Sequence, residues 1–261
     1  MIEVLQLTDL HITRTPGHAL RGLDTRASLA AVWQRARARH RAPDAILLTG
    51  DIADDGSADA YHHVREVFAD APCPVVAIPG NHDHPSTLRE VLADPPFVTE
   101  GTLTLGAWRV HLLDSHLSGE VGGRLTTASL EHLKALTNAS DRDAYHHLLV
   151  LHHPPVPLGS AWLDAIALTP SQPVLDVVDA MATVRGVIWG HAHQSYDGER
   201  AGTRLLCCPS TCSQFAPNRQ DFAIDDARGP GYRSLHLGDD GSIDTEVVWL
   251  PINTGTVEHC A

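Results

Sequence analysis

Potential metal-binding side chains follow five apolar segments of this sequence. The segments are VLQLT, ILLTG, VVAIPG, LLVL and GVIWG. The side chains after them are, in chain order, Asp9, His11, Asp51, Asn81, His82, Asp83, His152, His191 and His193. Carboxylate, amide and imidazole groups in one set are suited to divalent iron, manganese or zinc, and such a site needs no thiolate.

The spacing of these residues favours one shared site. Residues two apart, such as Asp9 and His11, can diverge from a strand end toward neighbouring positions of one site, and a single carboxylate, Asp51, could bridge two ions. Taken singly, each residue also has an ordinary structural explanation, since Asp9 could cap a turn and His152 could be a core histidine. Their combination at five segment ends favours the metal site.

The surrounding pattern predicts the elements that position this set. The short apolar runs IEVLQL, AILLT, VVAIP, RVHLLD, HHLLVL, GVIWG and TRLLCCP are typical of buried strands. Helical spacing of apolar residues predicts helices within 24–41, 57–71, 126–139 and 172–181, the first with Asp24 as N-cap. The segment 232–251 predicts an antiparallel hairpin around GDDGS. Ligands of α/β sheets bind at the carboxyl ends of the strands, where the polar set lies.

Composition limits the class of protein and its partners. We predict that residues 1–261 form a single α/β domain. The net charge of −13 disfavours nucleic-acid polymers and acidic membrane surfaces as partners. The apolar runs are too short to cross a bilayer, and the N-terminus MIEVLQLTDLH has no feature of a secretory signal. Five cysteines, an odd number, do not indicate a disulfide framework. We therefore predict a cytoplasmic protein.

Several polar residues receive no chemical role at this stage. Cys207, Cys208 and Cys212 are interpreted as small buried residues rather than ligands. His147, in the segment HHLLVL, is interpreted as a surface or packing residue. His84 either contacts a substrate or is merely exposed in its loop.

The ordered motifs resemble those of the calcineurin-like metallophosphoesterases. They are Asp9-x-His11, Gly50-Asp51, Gly80-Asn81-His82-Asp83, His152 and Gly190-His191-Ala192-His193. The resemblance implies a four-layer α/β/β/α sandwich, ending here in the C-terminal hairpin, with two divalent metal ions between strand ends. One ion would be held by Asp9, His11, Asp51 and His193. The other would be held by Asp51, Asn81, His152 and His191. His82 would be the catalytic acid or electrostatic stabiliser, and Asn81, His82 and His193 would contact the substrate.

Within this superfamily the chain resembles the bacterial class III 3′,5′-cyclic AMP phosphodiesterases. The similar segments are LTDLHI and PSTCSQF. The resemblance implies hydrolysis of cyclic AMP to 5′-AMP by a metal-bridging hydroxide, with iron or manganese favoured over zinc. Asp83 would not bind a metal ion itself but would contact and orient a histidine that does.

Other functions remain as alternatives. A glycerophosphodiesterase or a phosphodiesterase of broad specificity shares most of these motifs. A phosphoprotein phosphatase fits less well, because an Arg usually follows Gly-Asp and a Glu usually follows Asn-His in that group. An inactive scaffold should have lost ligands, whereas this set is complete. Charge counting favours a diester: two divalent ions, less two aspartates and one hydroxide, leave a formal charge of about +1, which a phosphodiester monoanion neutralises.

Overall fold

Two six-stranded sheets form the centre of the protein in the computed structural model, which describes residues 1–252. The strands are β1 (Ile2–Leu7), β2 (Ala19–Leu20), β3 (Leu23–Asp24), β4 (Ala45–Leu48), β5 (Val75–Ala77), β6 (Phe97–Val98), β7 (Thr102–Leu105), β8 (Trp108–Leu112), β9 (His146–Val150), β10 (Val184–Trp189), β11 (Tyr196–Arg200), β12 (Thr203–Cys207), β13 (Gly231–Leu237) and β14 (Ile243–Trp249). The first sheet has the order β14-β13-β1-β4-β5-β6, the second has the order β11-β12-β10-β9-β8-β7, and β2 and β3 form a separate small hairpin.

Six α-helices within residues 1–252 accompany the sheets. They are α1 (Thr25–Arg39), α2 (Ala58–Val67), α3 (Pro85–Val91), α4 (Thr127–Asn138), α5 (Ala161–Asp164) and α6 (Gln172–Ala180). The predicted N-cap of α1 is confirmed, because the Asp24 carboxylate accepts hydrogen bonds from the backbone N–H groups of Arg26 and Ala27. Two helices were not predicted from apolar spacing: α3, which begins at Pro85 directly after the polar PGNHDH segment, and the four-residue α5.

Strand periodicity explains the layers. Neighbouring side chains of a strand point to opposite faces, so Leu5 packs in a core with α1 and α2, whereas Val4 packs between the two sheets. In β9, Leu149 packs in a core that includes residues of α4 and α6, and Leu148 faces the middle core. Three apolar cores therefore separate four layers, which confirms the predicted α/β/β/α sandwich.

The C-terminal hairpin is also confirmed. Strand β13 pairs antiparallel with β14 and, on its other side, with β1, and it thereby extends the first sheet. The parallel neighbours β1, β4 and β5 end at the same edge, as do β9 and β10 of the second sheet. That edge carries the candidate site. The prediction of a single domain over residues 1–261 stays a prediction, and residues 253–261 lie outside the described part.

Candidate metal centre

The loops after five strands bring the predicted ligands together. Three loops follow β1, β4 and β5 of the first sheet, and two follow β9 and β10 of the second. Two backbone hydrogen bonds join the first two loops, from Asp9 N–H to the Gly50 carbonyl at 3.0 Å and from His11 N–H to the Asp51 carbonyl at 2.9 Å. The ligand residues are buried or partly buried, and most of them line one cavity of ≈ 320 Å³.

Backbone strain marks the same residues. Asp9, His11, Asp51, His191 and His193 have φ values of 51°, 44°, 48°, 64° and 47°. This left-handed region is uncommon for residues other than glycine and costs on the order of 1–3 kcal/mol for each residue. Strain concentrated in one cluster is typical of a functional site, and the residue types and their spacing did not indicate it.

Asp51 lies between two groups of donors. Its Oδ2 is 3.6 Å from His11 Nε2, and its Oδ1 is 3.4 Å from His152 Nε2. Burial alone would raise the pKa of Asp51, but the neighbouring His152 and His11 hold it well below its usual range. A carboxylate that presents one oxygen to each side has the geometry required to bridge two cations.

The first group of donors surrounds Asp9. Its Oδ1 lies 3.4 Å from His193 Nε2, and His193 Nε2 lies 3.2 Å from His11 Nε2. His193 Nδ1 donates to the Ser213 carbonyl at 2.7 Å, so its Nε2 is the nitrogen left for a cation. Burial disfavours a charged His193, yet Asp9 raises its pKa well above the ordinary value.

The second group surrounds the side-chain oxygen of Asn81. Asn81 Oδ1 lies 2.9 Å from His191 Nδ1 and 3.3 Å from His152 Nε2. His152 Nδ1 donates to the Thr49 carbonyl at 2.8 Å, which turns Nε2 toward Asp51. Within the described part of the chain, His191 Nε2 is buried and has no hydrogen-bond partner. Burial, followed by His153 and His152, lowers the pKa of His191.

The structure distinguishes His152 from its neighbour His153. The His153 ring bonds to Ser115 Oγ through Nδ1 at 2.8 Å and to the Val121 carbonyl through Nε2 at 3.1 Å. Both of its nitrogens are therefore occupied by the protein. Burial, with His152 nearby, lowers the pKa of His153 to about 3, so this ring is neutral near pH 7.

His82 lies at the mouth of the group. Its ring is 41% exposed and packs edge-on against His11, with ring centroids 4.7 Å apart. Nδ1 donates to the Asp54 carbonyl at 2.9 Å, which leaves Nε2 for a ligand. The Asp54 carboxylate also binds His11 Nδ1 at 3.0 Å. Asp54 therefore connects a candidate ligand with His82, a role that its position in GDIADDG did not reveal.

The expected contact between Asp83 and a histidine needs correction. The buried Asp83 carboxylate accepts hydrogen bonds from the backbone N–H groups of Ile52, Ala53 and Gly80, at 3.1, 2.9 and 2.8 Å, and from Tyr61 Oη at 3.0 Å. Burial raises the pKa of Asp83. Asp83 supports the ligands by tying the loop after β4 to the loop after β5, because backbone donors fill its acceptor positions.

The structure also places Cys212 and His84, to which the sequence assigned no chemical role. Cys212 Sγ lies within 4.8 Å of ring nitrogens of both His11 and His193, so one of the three cysteines borders the centre. Burial would raise the Cys212 pKa, but His193 lowers it to about 7. His84 is exposed, and its Nδ1 bonds to Thr87 Oγ1 at 2.8 Å at the start of α3.

The donor set fits divalent cations. Two buried carboxylates, one amide oxygen and four imidazoles converge, and two of the clusters are His11-His193-Cys212 and Asp9-Asp51-His152. The Asp51 and Asp9 carboxylates raise the pKa values of His152 and His193, so both carboxylates favour positive charge beside them. Divalent ions would supply that charge in place of the protons. Close packing admits no larger residue at Gly80, where a methyl group would collide with the Asp51 carboxylate.

Among the helices of residues 1–252, none has both the length and the apolar character needed to cross a membrane.

Known proteins match this chain over most of its length. A 3′,5′-cyclic adenosine monophosphate phosphodiesterase CpdA of Pseudomonas aeruginosa is 39% identical over 94% of this chain and 89% of its own length. The protein of the same name from Escherichia coli K12 is 38% identical over 94% and 89%.

A solved structure supports the fold. The dimetal phosphatase from Danio rerio superposes with a TM-score of 0.68 at 14% identity, covering 96% of this chain and 99% of the other. The profile of the calcineurin-like phosphoesterase family matches residues 2–195, which include every candidate ligand. The chain therefore belongs to the calcineurin-like phosphoesterase family.

Proposed function

We propose that this protein is a binuclear-metal phosphodiesterase that hydrolyses 3′,5′-cyclic AMP to 5′-AMP in the cytoplasm. The observation that carries the proposal is the convergence of seven donor residues, five of which line one cavity, with Asp51 between the two halves of the set. The substrate follows from relatives up to 39% identical over 94% of the chain, whose names specify cyclic AMP. A glycerophosphodiesterase is the nearest alternative.

The donors divide into two sites that share Asp51. One ion would be held by Asp9, His11, Asp51 and His193, and the other by Asp51, Asn81, His152 and His191. When bound, divalent ions lower the pKa of water and stabilise charge on phosphoryl oxygens. The mixture of oxygen and imidazole donors suits iron or manganese, with zinc as the third candidate.

His82 would protonate the leaving oxygen. Hydrolysis adds water across the bond from phosphorus to the 3′ oxygen, so the departing oxygen needs one proton. His82 Nε2 is the nitrogen not engaged by Asp54, and the ring lines the cavity, so it can donate that proton. Asn81 and His193 would contact the phosphate beside it.

Charge at the cavity also favours a diester. Arg21 is the only Lys or Arg among the described residues that line it, whereas Asp51 and Asp54 both do so. A phosphomonoester dianion would need additional cationic side chains to offset its second charge. The overall charge of −13 and the small cavity argue against a nucleic-acid polymer as substrate.

A substrate panel after metal reconstitution tests the proposal. We expect cyclic AMP to be hydrolysed with a higher kcat/KM than glycerophosphodiesters, 2′,3′-cyclic nucleotides or a phosphomonoester. A preference for the phosphomonoester would refute the phosphodiesterase, and a preference for glycerophosphodiesters would establish the alternative. Elemental analysis of the purified protein identifies the metals.

The role of His82 has its own test. His82→Ala should lower kcat by about 10²–10⁴ while two ions per chain remain bound, because a general acid contributes rate of this order. His84→Ala is the matched control, since His84 contacts Thr87 and Ser86 at the start of α3 and lies outside the cavity lining. Unchanged turnover by His82→Ala would exclude it as the acid.

A further inference from the structure

An aromatic wall borders the metal centre. We define it as Trp162, Phe215 and Phe222, whose rings meet edge to face with centroid separations of 5.1–5.4 Å. Aromatic residues make up 5% of this chain, and two of its four phenylalanines lie here. Phe215 and Phe222 lie outside the three apolar cores, so packing of the sandwich does not explain the wall.

The wall is continuous with the candidate ligands. The Phe215 ring stacks on the His193 ring, with centroids 4.0 Å apart and planes 11° from parallel. All three aromatic residues and His193 line the same cavity. A molecule whose phosphate lies at the metal centre would therefore extend its remaining part along these rings.

The Phe222 end of the wall is exposed to solvent. Phe222 is 45% exposed, which is unusual for so large an apolar side chain because contact of its ring with water is unfavourable. The Arg21 guanidinium lies over this ring, with Cζ 4.7 Å from the centroid, and lies 5.6 Å from the Phe215 centroid. Aromatic rings and guanidinium planes are the two groups on which proteins stack unpaired bases.

We propose that Arg21, Phe215 and Phe222, backed by Trp162, form a subsite that stacks the nucleobase of the substrate. This inference rests on the proposed function and extends it, because it names what separates a cyclic nucleotide from a glycerophosphodiester at this site. An uncharged purine gains contact with the rings and the guanidinium, whereas a glycerol group offers no flat surface to stack. Aromatic rings alone would attract a choline ammonium, but the positive charge of Arg21 over the same rings disfavours it. The phosphate binds at the metal centre and the base selects the substrate.

Product binding tests the subsite without requiring turnover. Calorimetric titration of the metal-loaded protein with 5′-AMP and with ribose 5-phosphate compares ligands that differ by the base. We expect 5′-AMP to bind more tightly, and we expect Phe222→Ala to weaken 5′-AMP binding about 5- to 150-fold, the range given by base–aromatic stacking. The affinity for ribose 5-phosphate should stay within about twofold, and Phe222→Trp should restore 5′-AMP binding. Leu117→Ala, an exposed apolar residue outside the cavity lining, is the control.

The outcomes separate this inference from the proposed function. If wild-type protein binds both ligands equally, or if Phe222→Ala weakens both alike, the subsite is refuted even when cyclic AMP is hydrolysed. If 5′-AMP is preferred through Phe222 but cyclic AMP is not hydrolysed, the proposed function fails and the subsite stands. With an active enzyme, Phe222→Ala should raise KM for cyclic AMP and leave hydrolysis of abasic 3′,5′-cyclic ribose phosphate unchanged.

Discussion

Replacing His111 with Gln should make the protein less sensitive to acid. His111, in β8, is 3% exposed and lies in a chain of three histidines: its Nδ1 is 2.8 Å from His132 Nε2, and its Nε2 is 2.9 Å from His147 Nδ1. His147 Nε2 lies 2.7 Å from the Arg142 carbonyl, which can only accept a hydrogen bond. His147 Nε2 is therefore a donor, and neutral rings satisfy every contact along the chain.

The magnitude follows from the pKa of His111. Burial, with His147 and His132 nearby, lowers it from 6.5 to about 3. The unfolded chain therefore takes up a proton below pH 6.5 that the folded protein refuses until about pH 3, so stability falls as the pH falls through this window. Between pH 7.5 and pH 5, the contribution of this one group is about 2 kcal/mol.

Urea unfolding at several pH values measures the effect. His111→Gln removes the titrating ring, so its free energy of unfolding should fall by about 2 kcal/mol less than that of wild type between pH 7.5 and pH 5. The quantity compared is the pH dependence, which does not depend on how much the substitution costs at pH 7.5. Both proteins are measured with the same metal ions bound. The substitution should not change metal binding, because His111 is outside the candidate ligand set. Parallel curves for the two proteins would refute the reasoning.

Two further perturbations act on the metal loops. Asp83→Asn should lower the free energy of unfolding by about 3 kcal/mol in urea titrations, because one carboxamide oxygen cannot replace two carboxylate oxygens that accept four hydrogen bonds. Tyr61→Phe removes one of the four, together with the bond that the Tyr61 hydroxyl accepts from His84 N–H, and should cost about 1–2 kcal/mol. An equal loss from both variants would contradict this account. Gly80→Ala should lose bound metal, because its methyl group would collide with the Asp51 carboxylate. Elemental analysis measures the loss, and an unchanged circular dichroism spectrum would show that the fold is kept. Gly122→Ala is the control, since a methyl group there makes only ordinary contacts and the variant should keep its metal.

The sequence alone indicated an α/β domain and a set of potential metal ligands, and the resemblance of its motifs to a known family implied the four layers. Alternation along the apolar runs places Val4 and Leu5 in different cores, and this local periodicity is sufficient to predict strands, helices and the C-terminal hairpin. The candidate ligands could also be recognised in the sequence. Parallel strands end at one edge of a sheet, and the residues after those strands are Asp, Asn and His, which are common metal ligands. The short helix α3 was missed, since Pro, Asn and Asp before it are equally typical of a turn.

Only the tertiary structure decided how individual groups are used. His152 and His153 are adjacent residues of the same type. Ser115 and Val121, more than thirty residues away, occupy both nitrogens of His153, whereas Thr49 occupies only Nδ1 of His152 and its Nε2 faces Asp51. His147, interpreted as a surface or packing residue, is buried and bonded to His111 in a neighbouring strand. The partners in each case come from distant parts of the chain, so the availability of a lone pair or a ring face is set by long-range packing, which local sequence patterns do not contain.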